Sequence, residues 1–226
     1  MAKKKEQKTE EAIALDVQLT KTEVFIEKNL KKILVAIAVV VLVVVAFFAY
    51  NNYMNGKNAD AEKAITASQE AFAQQQYDKA LNGDGAVSIG FLRIIEEYSG
   101  TKTANLAKLY AAICYANTDK YDEAIKMFES FSQKDDQMIS PASIAALGNC
   151  YVQKGDNKKG LELLLKAAKD ADNDALSPVF LIQAAKVYRA DGQDDKALEL
   201  YKEIKTKYFR SPLASEMDKY IETVTK

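Results

Sequence analysis

The sequence predicts an all-α chain: one membrane-spanning helix near the N-terminus, then an α-solenoid of three to four helix-turn-helix repeats closed by a C-terminal capping helix. Three observations carry this reading. Ile33 to Tyr50 is an eighteen-residue run without a charge or an amide. Beyond Ala104, a small residue and a tyrosine return together at steps of 36 and then 37 residues. Glycine and proline, which punctuate loops and sheets, number 9 and 3 among 226 residues.

The run ILVAIAVVVLVVVAFFAY is long enough to span. At 1.5 Å per residue it covers roughly 27 Å, and Leu30 and Tyr53 bring it near the ~30 Å hydrocarbon thickness of a bilayer. A core helix keeps a polar stripe, and this run has none. A cleaved secretory signal is the competing reading. The apolar stretch exceeds the usual length of a signal core, the region before it is thirty-two residues long, and Phe47-Phe48-Ala49-Tyr50 makes a poor small-residue cleavage site. Lys3, Lys4, Lys5, Lys8, Lys21, Lys28, Lys31 and Lys32 all precede the span, whereas the exit side reads Asn51-Asn52-Tyr53-Met54-Asn55-Gly56 before Lys57. The positive-inside rule then places the N-terminus in the cytoplasm and everything after residue 50 outside it. No N-x-[ST] sequon follows the span, so a bacterial inner membrane with a periplasmic C-terminal domain fits better than a glycosylating lumen. The span holds no ionisable residue and no G-x-x-x-G face, and reads as an anchor. Residues 19–32 are expected to form a short interfacial helix with Val24, Phe25 and Leu30 toward lipid, and residues 1–11 to be too polar to fold alone.

The repeats follow from internal offsets. Tyr115 with Ala124 and Phe128, Tyr151 with Gly160 and Leu164, and Tyr188 with Ala197 and Tyr201 keep spacings of nine and four. Three residues before each tyrosine stands a small residue, Ala112, Gly148 or Ala185, and four after it a breaker or turn former, Asp119, Gly155 or Gly192. Two antiparallel helices in close contact explain the pattern, because a small side chain lets the partner backbone approach and the ring fills the groove beside it. Ser140-Pro141, Ser177-Pro178 and Ser211-Pro212 read as N-cap serines with proline in the first turn, the last opening a capping helix to Val224. A degenerate earlier repeat is visible. Residues 59–76 form its first helix, Tyr77-Asp78-Lys79-Ala80 parallels Tyr121-Asp122-Glu123-Ala124, and Phe91 to Tyr98 parallels Tyr201 to Tyr208, with about seven extra residues around Leu81 to Gly85. The expected organisation is a tail at 1–32, a span at 33–53, and repeats near 58–100, 104–138, 140–174 and 177–210 with a cap at 211–225.

These residues resemble the tetratricopeptide repeat, whose pattern runs through Leu147-Gly148-x-x-Tyr151 and Ala124-x-x-x-Phe128. Gly160 departs from the usual alanine, and the repeat exceeds the typical length slightly. By the resemblance, the first helices would expose a protein-binding face of Leu106, Leu109, Ile113, Ala142, Ala145, Asn149, Val179, Ile182 and Lys186. Members of the family that grip a C-terminal carboxylate use lysine and asparagine there, and here Asn149 alone corresponds. The face therefore suits an apolar or extended segment of another protein, unless the N-terminal helix or a neighbouring repeat covers it.

Enzyme chemistry finds little to stand on. The chain has no histidine, removing the commonest general acid/base and the commonest zinc ligand, and it lacks a Gly-rich phosphate loop or a G-x-S-x-G elbow. Cys114 and Cys150 hold equivalent repeat positions about 8–10 Å apart, beyond disulfide reach, and read as small buried hydrophobes. Asp170-Ala171-Asp172-Asn173-Asp174 opens like a calcium loop, but Ala175 replaces its glycine and Leu181 its glutamate, so it reads as a solvated loop. No cofactor, metal, nucleic acid or small-molecule substrate is expected. The cytoplasmic tail, single span and repeat domain together resemble the ancillary SecYEG translocon subunit family, reinforced by Phe25-Ile26-Glu27-Lys28-Asn29 entering the span. That resemblance implies a scaffold touching the export channel and envelope chaperones.

Overall fold

The computed structural model describes residues 2–225, with side chains from residue 23 onward. The chain divides into two compact units, Met1–Asn55 and Gly56–Lys226. It is all-helical, with no strand among the described residues.

The first helix, α1, runs Ala2–Ala73. Within residues 23–55 nearly every side chain is exposed, among them Leu34, Val39, Leu42, Val45 and Phe48. One sequence expectation is corrected here. Residues 2–11 are helical as the start of α1, with Ala, Lys, Glu and Gln all strong helix formers. The separate short helices expected at 19–32 and 59–76 belong to α1 too. Nothing in Asn51–Gly56 breaks the helical hydrogen-bond ladder, because no proline intervenes and Gly56 does not adopt positive φ.

In the second unit, α1 from residue 56 pairs with two short helices, α2 (Tyr77–Asn82) and α3 (Phe91–Glu97). Three regular pairs follow: α4 (Lys102–Asn117) with α5 (Tyr121–Ser130), α6 (Ile139–Gln153) with α7 (Asn157–Ala171), and α8 (Ser177–Ala190) with α9 (Asp194–Lys207). A 3-10 turn, Pro212–Glu216, leads into α10 (Met217–Val224), which closes on α9.

Each turn within a pair uses one local device. Gln75, Asp119, Gly155 and Gly192 adopt positive φ of 60°, 58°, 85° and 71°. The next amide then folds back: Gln76 N donates to Ala71 O at 2.9 Å, Lys120 N to Tyr115 O at 3.0 Å, Asp156 N to Tyr151 O at 2.9 Å, and Gln193 N to Tyr188 O at 2.8 Å. These 6→1 bonds satisfy carbonyls that a helix C-terminus would otherwise leave bare. The repeat tyrosine therefore sets the turn through its backbone as well as the packing through its ring.

Small residues set the spacing of each pair. Ala112, Ala124, Ala185 and Ala197 are fully buried. In the α6–α7 pair Gly148 meets Gly160, and a Cβ built on Gly160 would lie 2.9 Å from the Gly148 carbonyl oxygen and 2.3 Å from Val152 Cγ2. The departure from alanine at 160 thus matches a closer helix approach. Phe128 and Tyr201 are buried beside these contacts, while Tyr115, Tyr151 and Tyr188 are half-buried against them. The core forms three groups, one around Phe91 and Ala107, one around Ala112 and Phe128, and the largest from Ile144 through Met217.

The serine caps are corrected. Ser140 lies inside α6, whose first amides are held by Asp136: its Oδ1 accepts from Met138 N (2.9 Å) and Ile139 N (2.5 Å). Ser177 is the first residue of α8, and Asn173 Oδ1 accepts from Ala175 N (3.0 Å) and Leu176 N (2.8 Å). Both serines are buried ties. Ser140 Oγ donates to Asp136 Oδ2 and accepts from Lys134 N, and Ser177 Oγ donates to Ala168 O and accepts from Asn173 N. Ser211 does precede the 3-10 turn, without a side-chain cap bond.

Candidate functional site

The face expected from the first helices of the pairs is partly open and partly core. Leu106, Leu109 and Ile113 on α4 are half-exposed, the last two lying against Ala112 and Phe128. Ala142 on α6 and Val179 on α8 are half-exposed at the edge of the largest core group. Asn149 donates through Nδ2 to Gln183 Oε1 at 3.1 Å, tying α6 to α8, and Lys186 stands in solvent. Two positions are corrected. Ala145 and Ile182 are 2% and 8% exposed and lie within one core group, so they cement neighbouring repeats instead of lining an open face.

Polar links run along both ends of the stack. At the end of the within-pair turns, Lys154 pairs with Asp122, Lys120 Nζ lies 3.8 Å from Asp78 Oδ1, and Asn157 Nδ2 donates to Asp191 Oδ1 at 2.7 Å. The Lys159 ammonium sits 4.4 Å from the Tyr151 ring centre, and Lys196 5.2 Å from that of Tyr188, the same eight-residue relation in successive pairs. Asp122 is held below the usual carboxylate range by its hydrogen bond and charge pairing with Lys154.

At the opposite end asparagines hold the connections between pairs. Asn58 Oδ1 accepts from Thr103 N (3.0 Å) and Thr103 Oγ1 (3.1 Å). Asn105 brackets Ser132, accepting from its N at 2.8 Å and donating to its O at 2.9 Å. Asn173 Nδ2 donates to Gln137 O at 3.0 Å, and Lys207 pairs with Asp172 at 3.1 Å. Sequence reasoning missed these links, although Asp136 and Asn173 each stand four residues before a Ser-Pro pair and 37 residues apart, a signal that could have found them. The acidic cluster read as an incomplete calcium loop is spent on such roles: Asp172 pairs with Lys207 and Asn173 caps α8.

The insertion in the first pair is an ordered loop between α2 and α3. Asp84 Oδ1 accepts from the amides of Ala86, Val87 and Ser88, and those bonds, with that of Lys79, hold its carboxyl well below the usual range. Ser88 Oγ lies 2.8 Å from Ser68 Oγ in the interior. Gly83 and Gly90, both at positive φ, close the loop neck, where a Cβ on Gly90 would come within 2.4 Å of Gly83 N. Cys114 and Cys150 are free and buried, and burial pushes their thiols up to about 12 and about 11.

Stacked helix pairs joined through small residues, with partly open first-helix faces, define a repeat scaffold, a fold typically used for non-catalytic protein binding. The chain belongs to the tetratricopeptide repeat-like domain family, whose model matches residues 24–147, more than half of the chain. Among solved structures, it is similar to nearly identical TPR-like repeats from a chain assigned as a kinesin light chain of Podosopora anserina, with a TM-score of 0.58 at 13% identity over 74% of this chain and 86% of that one. A single-substitution form of the same repeats gives a TM-score of 0.53 at 15% identity over 74% and 94%. At that identity the likeness speaks for the fold alone. A search of curated proteins gives no match.

Proposed function

We propose that this protein-interaction scaffold is tethered to a bacterial inner membrane with its repeats in the periplasm, and that it works at the protein-export translocon, passing exported chains to envelope chaperones. The observation that carries the tether is the apolar run of α1: among the described residues one helix is long and apolar enough to cross a membrane, and the side chains of that run are exposed all round, where a soluble core helix would bury one face. Lysines concentrated before the run support a cytoplasmic N-terminus. The translocon assignment rests on the resemblance in domain order to the ancillary subunit family. Exported segments would be received on the half-exposed positions Leu106, Leu109, Ile113, Ala142 and Val179, with Asn149 and Lys186 as polar neighbours. Affinity purification from gently solubilised membranes tests the assignment. Recovery of channel subunits is expected, and their absence overturns it. Recovery of outer-membrane or cell-wall assembly proteins instead makes the chain a scaffold of that machinery.

A further inference from the structure

We infer that the end of the repeat stack at which residue 56 lies is a second membrane contact, built to rest on anionic phospholipid; this deepens the tethered reading and rests on it. All four first helices start at this end: α1 enters its unit at Gly56, and α4, α6 and α8 begin at Lys102, Ile139 and Ser177. The connections between pairs therefore gather here. The bonds from Asn58 to Thr103, Asn105 to Ser132, Asn173 to Gln137 and Lys207 to Asp172 run through them in sequence. Only residues 54 and 55 separate Gly56 from the end of the proposed span. If that span is embedded, this is the end that connectivity brings to the lipid surface.

The side chains suit such a surface. Among the described residues after Gly56, the large apolar side chains left exposed are Val87, Met138, Ile139 and Phe209, and the last three all sit at this end, 54%, 52% and 67% exposed. An interface takes an aromatic ring together with a neighbouring cation, here Arg210, whose guanidinium lies 5.6 Å from the Phe209 ring centre. A cleft of about 310 Å³ opens between the first two pairs at the same end, lined by Lys102, Lys108 and Lys134 with Ser99, Thr101 and Ser132, and without a carboxylate. Lys108 donates to Ser130 O at 3.0 Å, while Lys102 and Lys134 are exposed. Acids also lie at this end, and most are engaged: Asp136 with helix amides, Asp172 with Lys207, Asp60 with Lys63, Glu62 with Asn58, Glu97 with Arg93 and Asp170 with Lys166, beside Glu96, Asp135 and Asp174. Apolar tips beside an acid-free lysine cleft match a phosphate-bearing headgroup layer, which attracts basic side chains held close to its surface.

The test uses the full chain in nanodiscs of phosphatidylcholine, with and without phosphatidylglycerol. Spin labels are placed singly by Phe209→Cys, Ile139→Cys, Asp191→Cys at the opposite end, and Val40→Cys in the apolar run. Oxygen collision rates several-fold above that at 191 are expected at 209 and 139, rising with phosphatidylglycerol and losing that rise with Lys102→Gln and Lys134→Gln. A lipid-like signal at 40 with 209 and 139 as aqueous as 191 overturns this inference and leaves the tether standing. An aqueous signal at 40 overturns the tether itself. Lipid contact at 209 that ignores both the anionic lipid and the lysine changes overturns the headgroup role of the cleft.

Discussion

Gly160 of α7 lies against Gly148 of α6 so closely that a methyl group on Gly160 would fall 2.9 Å from the Gly148 carbonyl oxygen and 2.3 Å from Val152 Cγ2. The flanking pairs place alanines at both equivalent positions, so the middle pair alone has traded two methyl groups for a closer approach. Gly160→Ala adds about 1 kcal/mol of helix propensity but overpacks a site bounded by backbone and a β-branched side chain, at a cost of about 1–3 kcal/mol. Contacts at 2.3 and 2.9 Å put the overpacking cost in the upper part of that range, so a net loss of roughly 1–2 kcal/mol is expected, read as a Tm several degrees lower by circular dichroism of the full chain in detergent. Gly148→Ala, whose nearest neighbours stand at 3.0 Å or more, is expected to cost less. A Tm unchanged or raised by Gly160→Ala would contradict this account.

Tyr201 offers the opposite sign. Its ring is fully buried against Tyr220, and its hydroxyl makes no hydrogen bond of good geometry, the Arg189 guanidinium nearby offering only a weak contact. Tyr201→Phe removes an unsatisfied polar atom while keeping the packing, so stability should hold or rise by up to about 1 kcal/mol, whereas Tyr201→Ala should cost about 3–5 kcal/mol. Denaturant midpoints of the two variants check this, and a loss of more than about 1 kcal/mol in the phenylalanine variant would show that the hydroxyl is bonded after all.

Asp136 carries an acid-sensitive contribution. Its hydrogen bond from Ser140, joined by the amides of residues 138–140, holds the carboxyl below its ordinary value. A folded-state pKa that is depressed contributes stability present above the unfolded value near 4, and lost as pH falls from there through the folded value. Asp136→Asn keeps an amide-accepting oxygen but cannot titrate, so the Tm of the wild type should fall more steeply than that of the variant below about pH 4. Asp136→Ala should cost about 1 kcal/mol at neutral pH. Parallel acid titrations of Tm for the two proteins would sink the assignment.

The thiols of Cys114 and Cys150 should be silent in the native protein. Burial pushes them to about 12 and about 11, leaving almost no thiolate at neutral pH. A thiol-reactive disulfide reagent is expected to consume no equivalents until denaturant is added, and two afterwards. Rapid reaction before unfolding would mean that the helices carrying them open locally.

Leu109→Asp combined with Val179→Asp should weaken capture of a chemically unfolded polypeptide by the full chain while leaving Tm within a few degrees, because both positions are half-exposed. Ile182→Asp is the wrong tool, since a carboxylate in that buried position would unfold the pair before reporting on binding. Capture unaffected by the double change removes the proposed face from consideration.

Much of the architecture was legible because packing at a fixed period leaves a mark in the residue types. Tyr151 with Gly148 and Gly160, and Tyr188 with Ala185 and Ala197, announce helix pairs through volume alone. What stayed hidden depends on local hydrogen bonds with many equivalent donors and acceptors. Ser140 and Ser177 look like caps from their place before proline, yet the capping oxygens belong to Asp136 and Asn173 further upstream. The binding face was legible only in outline. Ala145 and Ile182 share the periodicity of Ala142 and Val179, and which members of an apolar stripe are covered depends on how adjacent repeats meet.

The three separate core groups carry a mechanical consequence. Each draws on adjacent helices, and the largest spans α6 to α10, so tension applied at the C-terminus meets resistance group by group. A released pair of about 36 residues pays out roughly 120 Å of chain. Under load, the molecule would lengthen in discrete steps, with α10 and α9 yielding first and the Phe91 group last.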